Sequence, residues 1–153
     1  MRAIGFRAEP SAVTWAVVEG TKDQPILVGS GKEVPPATFD EVAALKWFRE
    51  RIQQIVGLYA PQIAAVRYPE TFQPKVKVAP LGQRCRVEGV LIEAVYSCGV
   101  DKVLTGPLAT ISKNLGTKAA KHYLESDELR GLDWSKHKNY EREAILVSAS
   151  ALP

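Results

Sequence analysis

The stretch Met1 to Val18, MRAIGFRAEPSAVTWAVV, restricts the fold of this chain more than any other. It opens with a short apolar run, Ala3-Ile4-Gly5-Phe6, turns through the polar corner Arg7-Ala8-Glu9-Pro10-Ser11, and resumes as Ala12 to Val18. β-Branched and aromatic residues fit a pleated, buried surface, whereas Pro10 lacks the N–H that a ladder needs and suits a corner. The pattern predicts two strands and a turn. A hairpin placed here becomes the centre of a sheet, because later strands can add to both of its edges. Arg7 is the charged residue that this hairpin carries into the sheet.

The rest of the chain supplies those later elements. Ile26 to Ser30 reads as a third strand after a turn at Thr21 to Pro25, which makes a meander. Thr38 or Asp40 can cap a helix whose apolar positions Val42, Leu45, Phe48, Ile52, Ile55, Val56 and Tyr59 recur at helical spacing and which ends by Ala60-Pro61. Ile63 to Tyr68 is a fourth strand, and its connection through a long helix predicts that it lies parallel to the first. Pro69 to Pro80 carries three prolines and alternating lysines and reads as an exposed loop. Helical spacing resumes from Leu81 to Ser97, Val100 to Leu104 is a fifth strand, and short helices are expected over Leu108 to Leu115 and Lys118 to Leu124. A last helix from Tyr140 to Leu152 should pack on the sheet. Neither a repeat nor a linker interrupts this order, so residues 1–153 read as one α/β layer domain.

A chain of 153 residues with 46% hydrophobic residues can hold a core without covalent staples. Cys85 and Cys98 lack a CxxC pattern or a nearby His and read as two buried free thiols rather than a zinc site. No apolar run approaches the ~18 residues of a membrane span, so a cytoplasmic protein is expected. The net charge is +3, and the basic residues are clustered: Arg67, Lys75, Lys77, Arg84 and Arg86, then Lys113, Lys118, Lys121 and His122, then Lys136, His137 and Lys138. Such clusters suit phosphates or simply face solvent. His122 and His137 are expected on the surface. Trp15, Trp47 and Trp134 read as packing residues, and Tyr68 and Phe72 flank the basic loop. Thr105-Gly106-Pro107 lacks the residues of a P-loop.

The element order β-β-β-α-β-α-β-α resembles the ribonuclease H-like fold, and within it the RuvC-type Holliday junction resolvases. Gly5-Phe6-Arg7 lies where that family has Gly, an apolar residue and its first catalytic Asp. Ala64-Ala65-Val66-Arg67 lies where its fourth strand ends in a catalytic Glu. VDKVLTGPLATISKNLG, Val100 to Gly116, resembles the segment that carries a basic residue near the active site, with Lys113 in that place and Lys118 as a second such residue. Tyr140 and Glu143 match the terminal pair of acids. The resemblance implies a mixed five-stranded sheet flanked by helices, a homodimer, and DNA or RNA as partner. It also implies carboxylates that hold divalent ions, which activate a water and stabilise the leaving oxygen.

The departures redirect that expectation. Arginine stands at Arg7 and Arg67, tyrosine at Tyr140, and Glu143 alone keeps an acid. A guanidinium is always protonated, so a centre holding two of them repels Mg²⁺ and suits an anion, or else pairs internally with Glu143, Glu88 or Glu93. The leading expectation is therefore a non-catalytic module without a cofactor, which binds nucleic acid through Lys75, Lys77, Arg84, Arg86, Lys113 and Lys118, or binds a protein partner. The alternative is a nuclease dependent on Mg²⁺ or Mn²⁺ whose acids have moved to Glu9, Glu70, Glu88 and Glu143. A third reading is a subunit that self-associates around Trp47 and Tyr59.

Overall fold

The computed structural model describes residues 1–70 and 75–153. Phe72 and the centre of the Pro69 to Pro80 stretch lie outside the described residues. Strands β1 (Arg2–Glu9), β2 (Ala12–Gly20) and β3 (Pro25–Glu33) form the expected antiparallel meander. Helix α1 (Glu41–Tyr59) leads to β4 (Ile63–Arg67), which pairs parallel with β1. Helix α2 (Val78–Ser97) leads to β5 (Val103–Gly106), which pairs parallel with β4. The sheet order is β3-β2-β1-β4-β5, so the opening hairpin supplies its central strand. After α3 (Leu108–Asn114) and α4 (Lys121–Leu124), a small hairpin of β6 (Glu128–Leu129) and β7 (Leu132–Asp133) precedes α5 (Asn139–Ala151).

Alternation along the strands makes two cores. Ile4, Phe6 and Ala8 with Val13, Trp15 and Val17 face α1 and α2, where Phe48, Ile52, Leu91 and Val95 meet them. Ala3, Ala16, Val18, Ile63 and Ala65 face the other way, toward Ala144 to Leu152 of α5 and the α3–α4 region. Small residues line this second face because α5 lies very close to it. A Cβ added at Gly5 would sit 2.4 Å from the Ser148 backbone nitrogen and 2.5 Å from the Ala144 carbonyl oxygen. Ser148 then donates its hydroxyl to the Ala3 carbonyl at 2.8 Å, which ties α5 to β1.

Several boundaries differ from the sequence reading for local reasons. Helix α2 begins at Val78, inside the stretch read as loop, because Pro80 falls in its first turn, where a missing N–H is harmless. β3 is longer than Ile26 to Ser30, since pairing with β2 carries it to Glu33. β5 begins at Val103 rather than Val100, α4 is confined to Lys121–Leu124, and the β6–β7 hairpin was not anticipated. Its turn places Arg130 at φ 50 and Gly131 at φ 84, both in the left-handed region. The Arg130 side chain donates to the carbonyls of Lys22 and Leu115, so this hairpin is clamped to the sheet edge and to α3.

Two packing expectations are corrected. Cys85 and Cys98 are exposed rather than buried, Cys98 lying beyond the end of α2. Val42 keeps helical spacing but points outward in the first turn of α1, 77% exposed. Trp15 and Trp134 are buried as expected, each with its indole N–H satisfied, by Glu33 and the Ser126 carbonyl respectively.

The Gly5 contacts yield a direct prediction. Gly5→Ala should destabilise the protein by about 1–3 kcal/mol or more, the cost of overpacking against backbone that cannot yield. Urea denaturation measures this, and an unchanged midpoint would show that α5 does not sit against β1 as described.

Candidate functional site

The face under α5 is apolar along most of its length and turns polar in a single row. Register places Lys32 of β3 opposite Thr14 of β2, Thr14 opposite Arg7 of β1, and Arg7 beside Arg67 of β4. Residues paired across strands share a face, so these four side chains form one line across the sheet, at the carboxyl ends of β1 and β4. The start of α5 lies over that line and delivers Tyr140 and, one turn on, Glu143 to it.

Parallel register alone would leave Arg7 and Arg67 side by side and mutually repelling. Glu143 resolves this by accepting from both. Arg7 Nε donates to Glu143 Oε2 at 2.6 Å, and Arg67 donates to the same oxygen. All three side chains are largely withdrawn from water, at 12%, 12% and 14% exposure. Arg67 also reaches Glu70 Oε1 at 3.3 Å, and Glu70 accepts from the Leu108 N–H at 3.0 Å at the start of α3. The Arg7 guanidinium carbon lies 4.9 Å from the Tyr140 ring centroid, a cation–π contact, and Lys32 Nζ lies 5.9 Å from the same ring.

Behind this row, α2 contributes a second pair. Arg84 Nε donates to Glu88 Oε1 at 2.8 Å, and another Arg84 nitrogen reaches the Arg67 carbonyl at 3.2 Å. Burial raises the Glu88 pKa, opposed by Arg84. Burial also lowers the Arg84 pKa, followed by repulsion from Arg7. Arg7, Arg67, Arg84, Glu70 and Glu143 line a cavity of about 320 Å³ beside Pro69, Val76 and Leu81.

The candidate residues from the sequence therefore separate into groups. Arg7, Arg67, Tyr140 and Glu143 come together. Glu9, Glu70, Glu88 and Glu143 do not converge as a metal-binding set, and no group of three His, Cys, Asp or Glu suited to a metal occurs among the described residues. Each of these acids faces its own cation instead: Glu9 faces Lys32 at 3.1 Å, Glu70 faces Arg67, Glu88 faces Arg84, and Glu143 faces both Arg7 and Arg67. Carboxylates already neutralised by guanidinium or, at Glu9, by ammonium do not fit Mg²⁺ or Mn²⁺. Lys75, Lys77, Lys113 and Lys118 are exposed. Arg84 is turned inward onto Glu88, and Arg86 is exposed but paired with Glu41 at 2.7 Å. Glu93 pairs with Arg49, away from the row. Trp47 is half-buried on α1, and Tyr59 packs against Trp15. Sequence reasoning missed Lys32 and Thr14, whose place in the row depends on the β2–β3 register rather than on any local motif.

No protein-family model matches the chain, and no curated protein sequence matches it. Solved structures do match its shape. Thermus thermophilus RuvC in complex with a Holliday junction substrate superposes with a TM-score of 0.76 at 14% identity, covering 100% of this chain and 99% of that one. The fold is that of the RuvC resolvases. Another T. thermophilus RuvC structure gives 0.75 at 16% identity, with 100% and 99% covered. The yeast mitochondrial Holliday junction resolvase gives 0.59 at 8% identity, with 97% and 77% covered. The ribonuclease H-like, RuvC-like architecture is thus established over the whole chain, and the arginine pair sits at the centre of its sheet.

Two predictions follow from the ion pairs. Glu143→Gln leaves two guanidiniums facing each other and should cost about 3–5 kcal/mol of stability, whereas Arg84→Met with Glu88→Leu should be near neutral, because a buried pair removed together leaves no orphan charge. Equal losses from the two changes would contradict this description. The folded state holds the Glu88 proton more tightly than the unfolded chain does, so this group's stabilising contribution is full below the ordinary glutamate range and is lost as pH rises through the raised value. Urea titrations from pH 3.5 to 7 should accordingly show wild type losing ground to the double variant as pH rises.

Proposed function

We propose that this chain is a non-catalytic RuvC-like module that binds nucleic acid across the carboxyl ends of β1 and β4. The observation that carries the reading is the shared carboxylate of Glu143. Where the resemblance calls for acids around divalent ions, the protein holds two arginines locked to one glutamate, an arrangement that repels a dication and needs none for its own cohesion. Support for nucleic acid comes from the fold, which T. thermophilus RuvC uses with a Holliday junction substrate, and from the exposed lysines around this centre. Arg7 and Tyr140 share an open cleft of about 360 Å³ with Lys75 and Lys77, which places two solvated ammonium groups beside an exposed aromatic ring. Phosphates can be neutralised by the lysines while the ring stacks on a base. Lys113, in the last turn of α3, and Lys118 after it are exposed and add further positive charge. Arg84 is left out of the contact set because Glu88 already engages it.

The test is fluorescence anisotropy with labelled four-way junction, duplex and single-stranded DNA, and with RNA, without divalent metal. Affinity should fall linearly with salt on logarithmic axes, with a slope near −0.9 per phosphate contacted on duplex. Lys75→Glu with Lys77→Glu should abolish binding. No strand should be cleaved when Mg²⁺ or Mn²⁺ is added, and neither ion should raise the melting temperature, since only a ligand of the folded state stabilises it. Salt-independent retention would remove nucleic acid as the partner, and a metal-dependent cleavage product would restore the nuclease.

A further inference from the structure

The polar row has a second half that Glu143 does not reach. Thr14, in the middle of the sheet, is 1% exposed, and its hydroxyl oxygen has no hydrogen-bond partner among the described residues. A buried hydroxyl left unpaired is costly, so such a group calls for a ligand. Thr14 lines an open cavity of about 780 Å³ together with Lys32, Lys138, Asn139, Tyr140 and Glu141.

The opposite wall of that cavity is the amino terminus of α5, a helix of 13 residues. Its N-cap is Lys138, which carries no acceptor, so no side chain caps the first-turn N–H groups in the way that Ser, Thr, Asp or Asn would. Those groups, from Asn139 onward, keep their donors and the positive end of the helix dipole. One acid lines the cavity, Glu141, and it is already engaged, as is Glu9 outside the lining. Glu9 faces Lys32 at 3.1 Å, and Glu141 accepts the Lys138 N–H at 2.9 Å. Lys32 and Lys138 add two ammonium groups, and Arg7 lies against the Tyr140 ring.

We infer that this cavity is a phosphate-binding site, in which the Thr14 hydroxyl and the first-turn amides of α5 donate to the anion while Lys32 and Lys138 neutralise it. The donor geometry is the one by which helix amino termini hold phosphate, here closed from below by a buried hydroxyl. This deepens the proposed function, because a phosphate seated beside Tyr140 places a nucleic-acid backbone next to the ring. The same chemistry serves a free phosphate or nucleotide, so the source has to be tested separately.

The experiment is an amide NMR titration of the ¹⁵N-labelled full chain with inorganic phosphate, repeated on Thr14→Val and on the Lys32→Gln/Lys138→Gln double variant. Saturable shifts are expected at Thr14, Asn139 and Tyr140, with affinity falling about tenfold or more for each charge-assisted contact removed. Thr14→Val keeps the shape of the side chain, and unchanged spectra elsewhere show that it folds. Shifts that never saturate, or that persist equally in both variants, would overturn the site. Anisotropy with DNA on the same proteins separates the two readings. DNA binding unaffected by either variant, with no phosphate response, ends this inference and leaves the proposed function standing. Saturable phosphate binding without DNA binding does the reverse.

Discussion

One carboxylate holds two guanidiniums, and much of this structure serves that contact. Arg7 and Arg67 are forced together by the parallel register of β1 and β4, on a face where they are largely withdrawn from water and their repulsion is weakly screened. Glu143 is the group that makes the register tolerable, and it arrives on α5, the helix that also covers the small-residue core. The close approach of α5 at Gly5, the Ser148 tether and the Glu143 contact are therefore parts of one docking event. Electrostatics and packing reinforce each other here rather than compete.

This arrangement gives the sheet two regimes on one face. Toward the amino end of β1, Ala3, Ala16 and Ala65 meet an apolar helix. Toward its carboxyl end, the same alternation presents Lys32, Thr14, Arg7 and Arg67. The boundary lies within α5, between Glu143 and Ala144. A RuvC-like scaffold thus keeps a polar centre at the place where α/β sheets commonly meet their ligands, with cations in the row and acids engaged around it.

Much of this was legible in the sequence. The central hairpin and the parallel return of β4 follow from periodicity and helix length, and the mixed five-stranded sheet from the resemblance, whereas an internal ion pair for Arg7 and Arg67 is one of two readings, with Glu143, Glu88 and Glu93 as its candidate acids. What escaped was long-range geometry. The inward turn of Arg84 depends on α2 passing behind the row, and the exposure of Cys85 and Cys98 on which way α2 faces. Lys32 and Thr14 joined the site through a cross-strand register that no short motif encodes, and the β6–β7 hairpin is too brief to leave a periodic signal. Glu9, Glu70 and Glu88 were plausible metal ligands by spacing, yet each found a nearer cation, which only coordinates in space reveal.

The sequence separation of the central contact also bears on how the protein is made. Arg7 and Glu143 are 136 residues apart, and Arg67 and Glu143 are 76. During synthesis both arginines leave the ribosome well before Glu143 is added, so the shared contact forms only after α5 has been made. Contacts of such long range are slow to form. Until then Arg7 lacks this partner and Arg67 has only Glu70, three residues on, so α5 brings the carboxylate that neutralises the pair in an environment crowded with RNA.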